Sequence, residues 1–398
     1  MSKVKRIPLG EVGTFRRGGN FKKSDFIEDG YPCIHYGQIH TTFGTATESH
    51  ITSIPDAIAN KCPKASKGDL VIAITSEDVA GSCKCTTWLG DYDIALGGHI
   101  ARFRHKLNPK YVSYFFQSPI FHKEKSQYTR GFKVTEIKPS DIAKIAIPII
   151  GIEEQCKTVE YLDDTFEKID MIHQKASKAL QMVQSIFIKE LEALTTPQAN
   201  WKSAQLKVLC CKIGSGATPR GGRKTYIKEG CSLIRSLNVH KTFFKYDELA
   251  HITDQAAQAL KGVTIHENDV LFNITGASIA RCCVVPSDIL PARVNQHVSI
   301  LRTDGSEILP DFLCYVLNSP QHQKSLLAIG ENGATRQAIT KADLEGHLVR
   351  YPDIKEQKLI VEKLKTLSDR LKKMENNYAK LIVELTIFKQ AILKETFE

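Results

Sequence analysis

The clearest alternation of apolar and polar positions lies in two long stretches. From position 355 onward Ile360, Leu364, Leu367, Leu371, Met374, Tyr378, Leu381, Leu385, Phe388 and Ile392 follow spacings of three and four without a break, which marks one apolar stripe on a continuous helix. Earlier in the chain Val159, Leu162, Phe166, Ile169, Ala176, Leu180, Val183 and Phe187 keep the same spacing, with His173 at the one polar seam position, where a polar residue sets register. Asp353 with Glu356 three residues later gives the second stretch a capping-box start. Each helix is expected to run about 40 residues, or about 60 Å at 1.5 Å per residue.

The remaining chain carries a different pattern, and it carries it twice. Residues 70–75 and 270–275 are apolar, β-branched runs bounded by Gly, Asp and Asn, and so are predicted buried strands. Residues 111–117 and 312–318 place aromatic and aliphatic side chains at helical spacing before a Ser-Pro stop, which predicts helices whose aromatics enter a core. These runs belong to a repeat with an offset near 200. Gly98-His99 recurs as Gln296-His297, Arg104 as Arg302, Pro109 to Pro119 as Pro310 to Pro320, Asp141 as Asp343 and Glu154-Gln155 as Glu356-Gln357. So long a period marks a duplicated domain, not a solenoid. The fold class is α+β: two similar α+β blocks, 1–150 and 201–352, with long helices at 151–195 and 353–398. The six residues 195–200 span at most about 20 Å, so the second block is expected at the far end of the first helix. The second helix then returns beside the first as an antiparallel, pseudo-twofold coiled coil, with one block at each end.

Charge changes the picture from architecture to partner. The 398 residues carry 54 Lys+Arg against 44 Asp+Glu, a net +10. By segment the balance is +7 for 1–150, −4 for 151–200, +5 for 201–352 and +2 for 353–398, so the basicity belongs to the two repeated blocks. A hydrophobic share of 42% excludes disorder, collagen and a coiled coil alone. No run reaches the roughly 18 apolar residues of a membrane span and no signal core follows Met1. A cytoplasmic protein without membrane contact is expected. The eleven cysteines show no CxxC unit and the histidines no HExxH, so free thiols and no bound metal are expected. A GxxxxGK[ST] phosphate loop, a strand-following GxGxxG and a Pro-Pro-Tyr methyltransferase motif are all missing. Asp353, Glu356 and Lys358 mimic a nuclease signature, but within one turn of a helix start the acids cap backbone. The expectation is a binding subunit with no active site and no cofactor of its own.

Two basic blocks on a stiff spacer suit double-stranded DNA, whose major groove faces one side about every 34 Å. Arg16, Arg17, Gly18, Gly19, Asn20, Lys22 and Lys23 in the first block, and Arg220, Gly221, Gly222, Arg223 and Lys224 in the second, set close-approaching backbone beside phosphate-binding groups; a solvated turn is the alternative. Gln38 and His40, and Asn238 and His240, have the chemistry to reach base edges or, equally, to cap a turn. Arg130 and Lys133, and Arg336 and Gln337, precede the matched Asp residues and are further DNA-contact candidates.

The chain resembles the specificity subunits of type I restriction-modification systems over essentially its whole length. The resemblance rests on Thr218-Pro219-Arg220-Gly221-Gly222, Tyr226, Gly230, Ile234-Arg235-Ser236-Leu237-Asn238-Val239, Asn268-Asp269-Val270-Leu271 and the Glu-Gln pairs opening both helices. It implies two target-recognition domains, each reading half of a gapped DNA target, with a central and a C-terminal conserved helix. These helices would set the spacing and dock two methyltransferase subunits, to which restriction subunits join. S-adenosylmethionine, ATP and Mg belong to those partners, and Thr218 and Ser236 enter the DNA-contact set. The first copy departs from this pattern, with Arg17-Gly18-Gly19-Asn20 and His35-Tyr36-Gly37-Gln38 at the corresponding places, which fits a different half-site. A non-enzymatic scaffold that organises protein partners through its helices is the alternative.

Overall fold

The structure, a computed structural model, describes residues 4–129, 135–331 and 338–398. It divides into two compact units, Met1–Ser177 with Ala379–Glu398, and Lys178–Tyr378. Each holds a globular head built on two main sheets, with smaller two-stranded ones, together with stretches of both long helices.

In the first head one sheet runs in the order Gly13–Arg17, Ile100–His105, Leu70–Ala73, Cys85–Trp88, Ala46–Thr47, and the other in the order Thr52–Ile54, Tyr31–Ile34, Ile94–Leu96, Lys64–Ala65. The second head repeats them as Lys212–Ser215, Val298–Arg302, Val270–Asn273, Cys282–Val284 and as Ala250–Ile252, Cys231–Ile234, Ala292–Val294. The first head thus adds one short edge strand to each sheet. Both predicted buried strands are central, and every residue of Leu70–Ala73 and Val270–Asn273 is buried. Their alternate faces enter different cores: Leu70 and Ile72 one, Val71 and Ala73 another, then Val270 and Phe272 one, Leu271 another. Burial on both faces explains why these runs are unbroken rather than alternating. Helices Pro109–Gln117 and Pro310–Asn318 cover one face of each head, each opening on a proline. Tyr111, Tyr114, Phe115 and Phe116 are buried, so the aromatics are core residues, as their spacing predicts.

The repeated acidic and basic residues are also structural. Asp69 is buried and takes Arg104 Nε and Nη2 at 2.8 and 2.6 Å, while its Oδ2 accepts the Ser66 N–H at 2.8 Å. Asp269 does the same with Arg302 at 2.7 and 2.7 Å and with the His266 N–H at 2.8 Å. A bidentate guanidinium and a backbone donor are what a carboxylate needs to be buried without loss.

The long helices span Ile152–Thr195 and Ile354–Phe397, 44 residues each. In the first unit Val159, Leu162, Phe166 and Ile169 share a core with Ile392, Leu393 and Phe397 from the end of the other helix, so the two stretches run antiparallel. Lys389 Nζ lies 2.5 Å from Asp170 and 4.9 Å from the Phe166 ring centre. In the second unit Leu191 joins Ile360, Val361 and Leu364, and Lys363 lies 2.7 Å from Glu190. The seam departs from its predicted course at two positions: Met374 and Phe388 are exposed, whereas Val361, Leu393 and Phe397 are buried. Near its ends each helix also faces a head, which widens and turns the buried stripe and accounts for Val361, Phe388, Leu393 and Phe397; the exposure of Met374, at the middle of its helix, has no such explanation.

The paired glutamines fasten helix to head. Gln155 Oε1 accepts the Asn108 N–H at 2.8 Å and its Nε2 donates to the Ile150 carbonyl at 2.8 Å. Gln357 Oε1 accepts the Leu309 N–H at 2.9 Å and its Nε2 donates to the Pro352 and Glu307 carbonyls at 2.9 Å each. Asp353 caps the second helix through the Glu356 N–H at 2.9 Å, but Glu356 Oε1 takes the Trp201 indole N–H at 3.3 Å instead of closing the box.

All eleven cysteines are free, nine of them buried. Among the described residues no helix is long and apolar enough to cross a membrane, and no group of three or more His, Cys, Asp or Glu could hold a metal ion.

Two predictions follow from this packing. Gln357→Ala strands the Leu309 N–H and two carbonyls, and is expected to lower stability by about 2 kcal/mol, read as a lower denaturant midpoint at unchanged slope; Gln155→Ala acts alike. In the second unit His322 Nδ1 lies 2.8 Å from His347 Nε2 with both rings buried, and burial lowers both pKa values, His322 to about 4. A histidine whose folded value lies below its unfolded one stabilises the neutral form. Stability should therefore hold above pH 6.5 and fall as pH drops toward 4, and His322→Gln should flatten that part of a melting-temperature profile.

Candidate nucleic-acid interface

The glycine loop of the second head is built for close approach. Gly221 and Gly222 both lie in the left-handed region, at φ 95 and 59, and the Gly222 N–H donates to the Pro219 carbonyl at 3.0 Å. A Cβ on Gly221 would meet Thr225 Cγ2 at 2.6 Å. The turn opens the short helix Gly222–Thr225. It leaves Arg220, Arg223 and Lys224 exposed with no ion pair among the described residues. Exposed Thr218 donates its hydroxyl to Gln296 Oε1.

The first head meets the same place differently. Arg16 and Arg17 end the strand Gly13–Arg17. Arg17 is tied down, its Nε donating to the Gly98 carbonyl at 3.1 Å and its Nη1 lying 3.1 Å from Glu136. Arg16, Asn20, Lys22 and Lys23 are exposed. The Lys22 N–H donates to Asp25 at 2.7 Å to start a single turn over Lys23–Asp25. That turn matches Gly222–Thr225: the Phe26 N–H reaches the Lys23 carbonyl as the Tyr226 N–H reaches that of Arg223, both at 3.3 Å. Lys23 therefore stands where Arg223 stands.

Gln38 and Asn238 also match, and both close turns. Gln38 Oε1 accepts the His35 N–H at 2.8 Å and its Nε2 donates to Thr52 Oγ1 at 3.1 Å. Asn238 Oδ1 accepts the Arg235 N–H at 3.1 Å and its Nδ2 donates to the Lys245 and Asp247 carbonyls at 3.0 and 3.2 Å. Asn238 is completely buried, so of the two roles its chemistry allows, capping is the one realised and its amide faces no solvent. Arg130, Lys133, Arg336 and Gln337 lie outside the described residues.

Ser236 and His240 come together on a groove of about 570 Å³ in the second head, with Lys245, Asp247, Glu248, Thr275, Ser278, Arg281 and His297. His240 stacks on exposed Phe243 with centroids 4.9 Å apart. Its pKa is lowered by burial first and then by Arg281. In the first head His40 Nε2 lies 3.1 Å from the Thr75 carbonyl and Lys84 Nζ donates to the His40 carbonyl at 2.8 Å. Nearby His35 is likewise lowered, by burial and then by Lys23 and His99. Lys84, Arg281, Thr75 and Thr275 escaped the sequence reading because their spacing fits no nucleic-acid motif. His40, His240 and Ser236 and the Gly98-His99 and Gln296-His297 repeat pointed to this place, but not to these four residues.

The fold and these surfaces define a protein made of one α+β unit used twice, each copy carrying exposed basic loops, with a polar groove in the second. A family model described as the type I restriction modification DNA specificity domain matches residues 1–181 and again 199–381. The chain belongs to that family. It is similar to the type I restriction enzyme StySPI specificity subunit of Salmonella potsdam, 24% identical over 427 aligned residues that cover 98% of this chain and 87% of that protein. It is also similar to the EcoKI specificity subunit of Escherichia coli K12, at 20% identity over 98% of this chain and 87% of that protein. Two solved structures share the fold. One comes from work on the structural basis underlying complex assembly and conformational transition of the type I R-M system, with TM-score 0.77, 18% identity and coverage of 100% of this chain and 99% of that one. The other is the HsdS subunit of Thermoanaerobacter tengcongensis, with TM-score 0.61, 17% identity and coverage of 100% and 97%. Specificity subunits are the non-catalytic members of type I systems, and this chain is one of them.

Asn238→Ala removes three hydrogen bonds from a buried turn and is expected to cost about 2 kcal/mol of stability. Measured in a complex that remains folded, it should leave the methylated DNA sequence unchanged, because the amide faces the turn.

Proposed function

We propose that the chain reads a gapped, bipartite DNA sequence, one half-site per head, with the long helices fixing the gap and docking two methyltransferase subunits. Restriction subunits join that core. S-adenosylmethionine, ATP and Mg act on the partners, and the assembly works in the cytoplasm. The observation that carries this reading is a duplicated fold whose loops differ. Paired strands, the Asp–Arg pairs and the glutamines recur, whereas Arg16 to Lys23 and Thr218 to Lys224 present different side chains on matching turns. One fold with two loop sets suits one kind of ligand read in two different sequences. The exposed cations on both loops supply the sequence-independent attraction that precedes readout.

Methylome sequencing of the host with and without the gene tests the reading. Loss of methylation at one gapped sequence on deletion is the expected result. Exchange of residues 1–150 for another recognition domain should alter one half of that sequence and leave the other. Unchanged methylation with altered protein partners would overturn the reading in favour of a scaffold.

A further inference from the structure

Four polar positions recur at one place in both heads. They are His40, Thr75, Lys84 and His99 in the first head, and His240, Thr275, Arg281 and His297 in the second. Backbone bonds fix the match. The Ile74 N–H donates to the His99 carbonyl and the Ile274 N–H to that of His297, both at 3.0 Å; the Ala73 N–H donates to the Lys84 carbonyl and the Asn273 N–H to that of Arg281, both at 2.8 Å. The residue before each cation, Cys83 or Ala280, is left-handed at φ 62 or 65. Such a conformation costs a non-glycine residue about 1 kcal/mol, and both copies keep it.

The side chains converge as well. In the first head Lys84 bonds the His40 carbonyl, His40 touches the Thr75 carbonyl, and Tyr36 bridges the two imidazoles with centroids 6.1 Å from His40 and 5.1 Å from His99. In the second, Thr275 Oγ1 lies 2.6 Å from His297 Nδ1, and all four residues line one groove. The positions around each quartet differ: Tyr36 corresponds to Ser236, and Glu77-Asp78 to Ala277-Ser278.

We infer that the quartet is a phosphate clamp, one copy in each head, that grips the duplex backbone without reading sequence. The inference rests on the specificity reading and adds a division of labour to it. Two heads that read different half-sites meet the same backbone, so a set shared by both cannot tell the half-sites apart. Lys84 with exposed His99 in the first head, and Arg281 with the Thr275 hydroxyl in the second, supply the donors a phosphate oxygen accepts; the Thr75 hydroxyl is buried and His40 Nε2 is held at the Thr75 carbonyl, so these two only shape the first site. Base discrimination falls to the neighbours that differ.

The test uses the full chain assembled with its methyltransferase subunits, with a duplex carrying the methylated sequence and a random duplex of equal length as probes. Lys84→Ala and Arg281→Ala should each weaken both duplexes by the same factor, close to tenfold at about 0.1 M salt, and lower the slope of log affinity against log salt by about 1. The double variant should lower it by about 2. Lys84→Arg and Arg281→Lys should keep the slope, which leaves the test readable if an alanine variant unfolds. The methylated sequence should stay the same throughout. A changed methylated sequence, a loss confined to the target duplex, or an unchanged salt slope would overturn the clamp while the specificity reading stands. Failure of the unsubstituted complex to prefer any sequence would overturn both.

Discussion

Gln357 is completely buried, and its carboxamide bonds one N–H and two carbonyls drawn from the head and from the turn that opens the second long helix. Gln155 does the same work in the first unit. Each accepts the N–H of the residue that caps the head's own helix, Asn108 or Leu309, so one side chain ties two helix starts together. Apolar contact around these sites is extensive but gives no preferred angle, because burial depends on area rather than direction. Hydrogen bonds are directional, and the buried partners have no water to turn to. The carboxamide therefore sets the angle at which each head leaves its helix. Whatever the loops recognise is presented from that mount.

Burial leaves a period in the sequence, whereas the direction of a hydrogen bond leaves none. The buried strands, the aromatic helices and the long helices were legible because burial imposes a period on apolar residues, and a duplicated chain shows it twice. The Glu-Gln pairs were legible as a repeat but not as a function, since nothing in their spacing says that the glutamine reaches the Asn108 or Leu309 backbone. The seam was legible at Ile360, Leu364, Leu371 and Ile392 but not at Met374 and Phe388; toward the helix ends the buried face depends on the head as well as the other helix, as at Phe388. Gln38 and Asn238 have donors and acceptors that suit a base edge and a turn equally, and only the positions of the His35 and Arg235 N–H groups decide between them. Loop residues carry no period, which is why Lys84 and Arg281 stayed invisible until the hairpins that present them were in view.

Duplication also separates kinds of residue that a single domain would leave mixed. Positions alike in both heads fall into two sets. One is buried and holds the fold, as Asp69 with Arg104 and Asp269 with Arg302 do. The other lies on a groove, as His240, Arg281 and His297 do. Positions that differ cluster on the turns Lys23–Asp25 and Gly222–Thr225 and beside the groove. There a changed side chain costs the core nothing, so these turns are where two copies of one fold are free to diverge in what they bind.

One pair of contacts diverges where divergence is not free. Lys110 Nζ lies 2.7 Å from Asp163 in the first unit, and Lys365 Nζ lies 2.7 Å from Asp311 in the second. Lys110 and Asp311 occupy the same position of the head's helix, and Asp163 and Lys365 the same position after the paired glutamines. The contact is kept while its polarity is reversed. Each pair is at least a third exposed on both sides or close to it, which limits it to under about 1 kcal/mol. A head seated on the other helix start would set lysine against lysine or aspartate against aspartate, turning a small attraction into a small repulsion at a face whose glutamine and apolar residues would otherwise accept either head. Shape makes the two mounts interchangeable, and charge makes them distinct.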